Sequence, residues 1–101
     1  MNIEIKEENG IVKASLDGRL DTATAVEVAP QFNTLSGMAD KEIVLDFANL
    51  EYISSSGLRL LISLRKESVA QGGKVIIENI NDTIRNVFTM TGFYSLFEIR
   101  D

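Results

Sequence analysis

Near the start of the chain apolar and polar side chains alternate, Ile3 and Ile5 against Glu4 and Lys6, the period of a strand with one buried face. Asn9-Gly10 follows, a pair that accepts the positive φ of a tight turn, and extended patterning resumes at "IVKASL". The segment predicts a β-hairpin. Asp17-Gly18 is expected to break its second strand. Beyond that break the period becomes helical: Ala25, Val26, Ala29 and Phe32 recur at helical spacing, and Asp21 or Thr22 is placed to cap the helix. Pro30 lies inside this pattern and, lacking an N–H, is expected to kink the helix or end its first segment.

After the turn "SGMADK", the run Ile43-Val44-Leu45 predicts a central parallel strand covered on both faces. "SGLRLLISLRKESVAQ" predicts a helix stopped by Gly72-Gly73, and "KVIIEN" a further buried strand. Asn81 or Asp82 caps "TIRNVFTMT", where Ile84, Val87, Phe88 and Thr91 share a face and Gly92 ends the helix. "SLFEIR" is the last strand. The order ββαβαβαβ, with connections of a few residues, predicts an α/β fold in a single domain, 1–101. Its sheet is mostly parallel with an antiparallel N-terminal edge strand, and helices pack on the sheet through right-handed crossovers.

The helix that follows the three serines Ser54, Ser55 and Ser56 has an unusually wide apolar arc. Leu58, Leu60, Leu61, Ile62, Leu64 and Val69 spread over roughly 200°, where a core-facing stripe needs a little over about 100°. Either neighbouring elements bury the whole arc, or an edge with Leu60 beside the serines stays exposed for a partner.

Composition narrows the function. Ten Lys and Arg against 15 Asp and Glu leave a formal charge of −5, which disfavours nucleic acid and anionic membrane as partners. The chain has no cysteine and no histidine. That removes a disulfide framework, thiolate chemistry, the usual zinc ligands and the usual activator of a serine nucleophile. The N-terminus is too charged for a signal peptide, and no apolar run approaches the roughly 20 residues of a membrane span. A cytoplasmic, non-catalytic protein with no cofactor and no bound metal is expected.

In open α/β sheets the functional surface lies where strands end and helices begin. Three loops are expected there: Asp17 to Thr22, Asp46 to Gly57 and Glu78 to Asp82. The middle loop carries Ser54, Ser55 and Ser56. One serine, Ser55 or Ser56, is expected to cap the next helix, a contact worth about 1 kcal/mol. As an enzyme site the loop is poor, because "ISSSG" has no G-x-S-x-G elbow. Asp21, Asp46 and Glu51 could gather as a carboxylate cluster, with solvated loop acids the plainer expectation. The remaining use of a spare hydroxyl is as a substrate for phosphorylation, which adds roughly −1.5 to −2 charges. A helix N-terminus tolerates that charge.

With "GRLDTATA" at 18–25, "IVLDFANLEYISSSGLRLL" at 43–61, "GGKVIIEN" at 72–79 and "VFTMTGFYSLFEI" at 87–99, essentially the whole chain resembles the STAS family, and within it the bacterial anti-sigma factor antagonists. The resemblance implies a partner switch. Family members bind an anti-sigma factor that is also a serine kinase and so free a sigma factor; phosphorylation by that kinase ends the complex, and a PP2C-type phosphatase restores it. Laid on the family pattern Asp-Ser-Ser/Thr-Gly, Ser55 is the phosphoacceptor, Ser56 the following hydroxyl and expected cap, and Gly57 the glycine. Ser54 stands where the pattern has aspartate. The implied partner face is Asp21, Thr22, Tyr52, Ser54, Ser56, Gly57, Arg59 and Leu60. The alternative is a constitutive, non-phosphorylated STAS interaction module of a transporter or ATPase-associated complex. Oligomeric state is open.

Overall fold

A computed structural model describes residues 1–100. The alternating N-terminal segment forms β1 (Asn2–Glu8) and β2 (Ile11–Leu20), joined by Asn9 and Gly10 at φ 55° and 79°, the two positive values a twist-matched hairpin turn requires. Then follow α1 (Thr22–Ser36), β3 (Glu42–Ile53), α2 (Ser55–Gln71), β4 (Lys74–Glu78), α3 (Asp82–Thr91), a 3-10 turn (Phe93–Ser95) and β5 (Glu98–Arg100). The strands lie side by side in chain order, β1-β2-β3-β4-β5. Only β1 is antiparallel to its neighbour. The expected order and sheet are thus observed.

Each parallel strand is added beside the previous one, so right-handed crossovers bring all three helices to one face. Their buried residues, among them Phe32, Leu61 and Phe88, form one cluster with Val12, Leu16, Ile43, Leu45 and Ile77. The domain therefore has two layers. This corrects the expectation that the Ile43-Val44-Leu45 run is covered on both faces by packed elements. Val44 and Ile76 point away from the helices yet are 5% and 0% exposed. A lattice of long polar side chains shields them, in which Lys13 lies 3.8 Å from Asp46 and Lys74 lies 3.9 Å from Glu98.

Several boundaries differ from expectation. Gly18 does not end β2; it takes φ 114° inside the strand, a value only glycine adopts freely, and pairing with β3 continues to Leu20 and Ile53. Pro30 neither breaks nor ends α1, which runs on to Ser36. Its missing N–H falls on the solvent side, where Val26 is 76% exposed, so water can satisfy the Val26 carbonyl. Val28 and Leu35, rather than Val26, complete the buried stripe with Ala25 and Phe32. β5 is shorter than "SLFEIR": Ser95 closes the 3-10 turn, the Leu96 amide donates back to the Phe93 carbonyl, and pairing with β4 begins only at Glu98.

β3 changes the expected loops most. Its 12 residues pair with the 10 of β2, the surplus being taken up by register shifts between Asp46 and Asn49 and between Leu50 and Tyr52. Each shift inserts one residue, so Phe47, Leu50 and Ile53 all reach the core although they are three apart. The loop expected from Asp46 to Gly57 is therefore mostly strand. A single residue, Ser54, joins β3 to α2, and a single residue, Asp21, joins β2 to α1.

Candidate functional site

The three helix N-termini gather at one end of the sheet, each started by its own cap. Asp21 caps α1: its Oδ1 accepts from the Thr24 amide at 2.9 Å, and Thr24 Oγ1 in turn accepts from the Asp21 amide at 2.8 Å. The Thr24 amide, then the Thr24 hydroxyl, hold the Asp21 carboxyl below the usual carboxylate range. Asn81 caps α3 through the Ile84 amide, and its Nδ2 donates to the Leu50 carbonyl at 2.7 Å. That contact ties α3 to the irregular stretch of β3.

Ser54 caps α2. Its Oγ accepts from the Gly57 amide at 3.2 Å, its own amide donates to Leu20 O at 2.8 Å, and its carbonyl accepts from the Leu58 amide at 2.9 Å. This corrects the expectation that Ser55 or Ser56 is the cap. The strand runs up to Ile53, so the half-extended residue that must precede the helix is Ser54, with φ −92° and ψ 172°. Aspartate and serine are equally good in that role, so the departure from the family pattern preserves the cap. What it removes is a negative charge beside the helix N-terminus, worth about 0.3–1 kcal/mol.

Capping by Ser54 leaves two hydroxyls over. Ser55 is exposed and Ser56 half-buried, and neither side chain makes a hydrogen bond among the described residues. Their amides are the first two of the helix and lack intrahelical partners. An anion carried on Ser55 would therefore meet unsatisfied N–H groups and the positive end of α2.

The other candidates fall into distinct positions. Thr22 is exposed at the first turn of α1, beside the Leu20–Ser54 hydrogen bond that links the two helix starts. Tyr52 is 37% exposed on the helix-free side of β3, with the Arg19 guanidinium 4.6 Å from its ring centre. Arg59 is exposed one turn after Ser55. Gly57 is buried and offers no surface. A Cβ there would lie 2.7 Å from Leu20 Cγ and 3.0 Å from Ile53 Cγ1, so its contribution is the close seating of α2 on β2 and β3. Leu60 is half-buried and packs against the core.

The apolar arc of α2 is covered unevenly. Leu58, Leu61 and Leu64 are buried, Ser68 rather than Val69 continues the stripe, and Val69 is 63% exposed. Leu60 and Ile62 flank the stripe, both half-buried, and the open groove lies on the Ile62 flank. There a groove of about 480 Å³ runs from Ser55 past Leu58, Arg59, Ile62 and Lys66 to Phe93. Sequence reasoning did not place Ile62, Lys66 and Phe93 at the site, because the 3-10 turn that brings Phe93 to α2 has no local signal of its own between Gly92 and the expected last strand.

No carboxylate cluster forms. Asp46 sits on the helix-free sheet face, away from Asp21, and no group of three metal-ligating residues occurs among the described residues. Burial works against ionisation of Asp46, but hydrogen bonds from Asn79 and the Ala48 amide, with the Lys13 charge, outweigh it and lower its pKa. No helix among the described residues is long and apolar enough to cross a membrane.

The cap can be tested alone. Ser54→Ala is expected to cost about 1 kcal/mol in urea unfolding, whereas Ser55→Ala and Ser56→Ala each stay within about 0.5 kcal/mol of the parent. A larger loss at Ser56 than at Ser54 would contradict the assignment.

The family model described as "STAS domain" matches residues 2–101. BtrV of Bordetella bronchiseptica is 27% identical over 99 residues, spanning 98% of this chain and 85% of that protein. The anti-sigma F factor antagonist of Paenibacillus polymyxa is 26% identical over 102 residues, spanning 100% and 87%. Among solved structures, the anti-sigma factor antagonist SpoIIAA in its unphosphorylated form superposes with a TM-score of 0.74 at 22% identity, covering 99% of this chain and 88% of that one. SpoIIAA of Bacillus in its phosphorylated form gives 0.73 at the same identity, covering 99% and 92%.

Proposed function

This chain belongs to the STAS domain family, and from that premise we propose that it is an anti-sigma factor antagonist regulated by phosphorylation of Ser55. In this reading the unmodified chain binds an anti-sigma factor that is also a serine kinase, through a face made of Asp21, Thr22, Tyr52, Ser54, Ser55, Ser56 and Arg59, with Gly57 seating α2 beneath it and Leu60 bordering it. The kinase transfers the γ-phosphoryl group of ATP to Ser55. The bond from the γ-phosphorus to the β–γ bridging oxygen breaks, Ser55 Oγ takes its place, ADP leaves, and the hydroxyl proton passes to a base on the kinase. A PP2C-type phosphatase reverses the modification by hydrolysis, releasing inorganic phosphate.

The observation that carries the proposal is the exposed Ser55 hydroxyl, unbonded among the described residues at the start of α2, while its neighbour Ser54 does the capping. Relatives named as anti-sigma factor antagonists support the role, and the existence of a phosphorylated form of SpoIIAA supports the switch. The phosphate adds roughly −1.5 to −2 charges at a place where the helix favours them, so it alters the surface and leaves the fold intact.

Intact-mass analysis with the serine-kinase anti-sigma factor of the same organism and ATP tests the assignment. The parent chain and Ser56→Ala should each gain one phosphoryl group, and Ser55→Ala none. A gain that survives Ser55→Ala, or no gain in the parent, would count against it.

A further inference from the structure

The cations of this acidic chain are unevenly used. Of the ten, Lys13, Lys41, Lys74 and Arg100 are in ion pairs, Arg19 and Arg85 lie against tyrosine rings, and Arg65 donates to the Leu96 carbonyl. Among the described residues only Lys6, Arg59 and Lys66 have no such partner. Two of these three line the same groove, whose floor is Leu58, Ile62 and Phe93. The helix that carries them holds Arg59, Arg65 and Lys66 against Glu67 alone, in a chain whose overall charge is −5. The groove is thus an apolar trough with an uncompensated positive rim on an otherwise negative molecule.

We propose that this groove seats an acidic, apolar-ridged segment of the protein partner, with Arg59 and Lys66 as its anion contacts. The inference rests on the reading of the chain as an anti-sigma factor antagonist and adds the chemistry of the surface it meets. A helix with apolar residues along one ridge and carboxylates beside them matches both parts of the trough, the ridge filling the floor and the acids meeting the rim. The docking face accordingly extends along α2 from Ser55 toward the 3-10 turn at Phe93.

The placement also says how phosphorylation would act. Ser55 lines the mouth of this groove and precedes Arg59 by four residues, the spacing at which side chains on a helix meet. A phosphate on Ser55 would draw the Arg59 guanidinium to itself and set negative charge in the path of the partner's acids. One modification would remove attraction and add repulsion.

The test measures affinity for the anti-sigma factor kinase of the same organism by titration calorimetry at two salt concentrations. Arg59→Glu combined with Lys66→Glu should weaken binding at least about 100-fold and flatten its salt dependence, because both side chains are exposed and the fold, checked by circular dichroism, should persist. Lys6→Glu, which reverses the third free cation on the opposite sheet face, should change affinity less than about twofold. A double variant that binds within threefold of the parent would overturn the groove assignment and leave the antagonist role standing. A parent chain that binds no anti-sigma factor of its organism would overturn both. In the complex, amide hydrogen exchange should slow at 59–66 and 91–93; protection confined to α1 would also overturn the groove.

Discussion

Replacing Gly73 by alanine will cost the domain about 3 kcal/mol and lower its melting temperature by roughly 12–24 °C. The reason is space. A Cβ at Gly73 would lie 2.1 Å from the Ala39 carbonyl oxygen and 2.6 Å from that of Lys41, and neither is the end of a side chain that could swing aside. Both belong to the turn between α1 and β3. That turn is itself fixed, since Ala39 is fully buried and the Lys41 carbonyl accepts from the Lys74 amide at 3.4 Å. Backbone must therefore move against backbone. The adjacent glycine makes the control: Gly72 has φ 80° as the left-handed cap of α2, with nothing within 4 Å of a Cβ. Gly72→Ala should cost only the conformational penalty of about 1–2 kcal/mol. Urea unfolding of both variants decides, and equal losses would contradict the steric account.

Phe88→Ala should be at least as damaging, at about 3–5 kcal/mol. Phe88 is fully buried on α3, with its ring centre 6.1 Å from that of Phe47 in an edge-on arrangement and 5.9 Å from that of Phe97. It holds α3 against β3 and links both to the segment leading into β5. A domain of this size has about 5–15 kcal/mol of total stability, so the variant should be close to unfolding at physiological temperature. The loss also bears on function, because α3 leads through Gly92 into the turn that sets Phe93 at the groove. Phe88→Leu, which keeps most of the volume, should cost less than half as much. A loss below about 1 kcal/mol for Phe88→Ala would mean that the aromatic cluster does not anchor α3.

The sequence made the element order legible because most elements follow one period and end on a residue with a conformational reason. Asn9-Gly10 turns the hairpin, Asn81 starts α3, and Gly72 and Gly92 end α2 and α3. β3 was only half legible. Its inward residues Phe47, Leu50 and Ile53 are spaced by three, which matches neither the alternation of a strand nor a long enough helical run, and the two inserted residues that reconcile the spacing appear only in the pairing with β2. Losing the end of β3 also misplaced the cap. With the strand read as stopping near Phe47, nothing told Ser54 apart from Ser55; once the strand reaches Ile53, Ser54 is the only residue left between strand and helix.

The candidate site divides in the same way. The exposure of Ser55 and Arg59 near the start of α2 could be anticipated from residue types and the family pattern. The groove could not, since it depends on Phe93 coming back to α2 from a turn 30 residues further on, a contact between distant segments to which no local period corresponds. The same limit explains Ser68, a buried serine in a stripe where Val69 was expected.

The inserted residues in β3 bear on how this family's chains can vary. Because β3 carries one surplus residue at each register shift, deleting one of Ala48 and Asn49, or one of Glu51 and Tyr52, would restore plain alternation and leave Leu50 and Ile53 facing the core. The inward register that sets Ser54 and the acceptor hydroxyl at the start of α2 therefore holds with or without either insertion, and what the insertions add is local bend and two extra outward side chains.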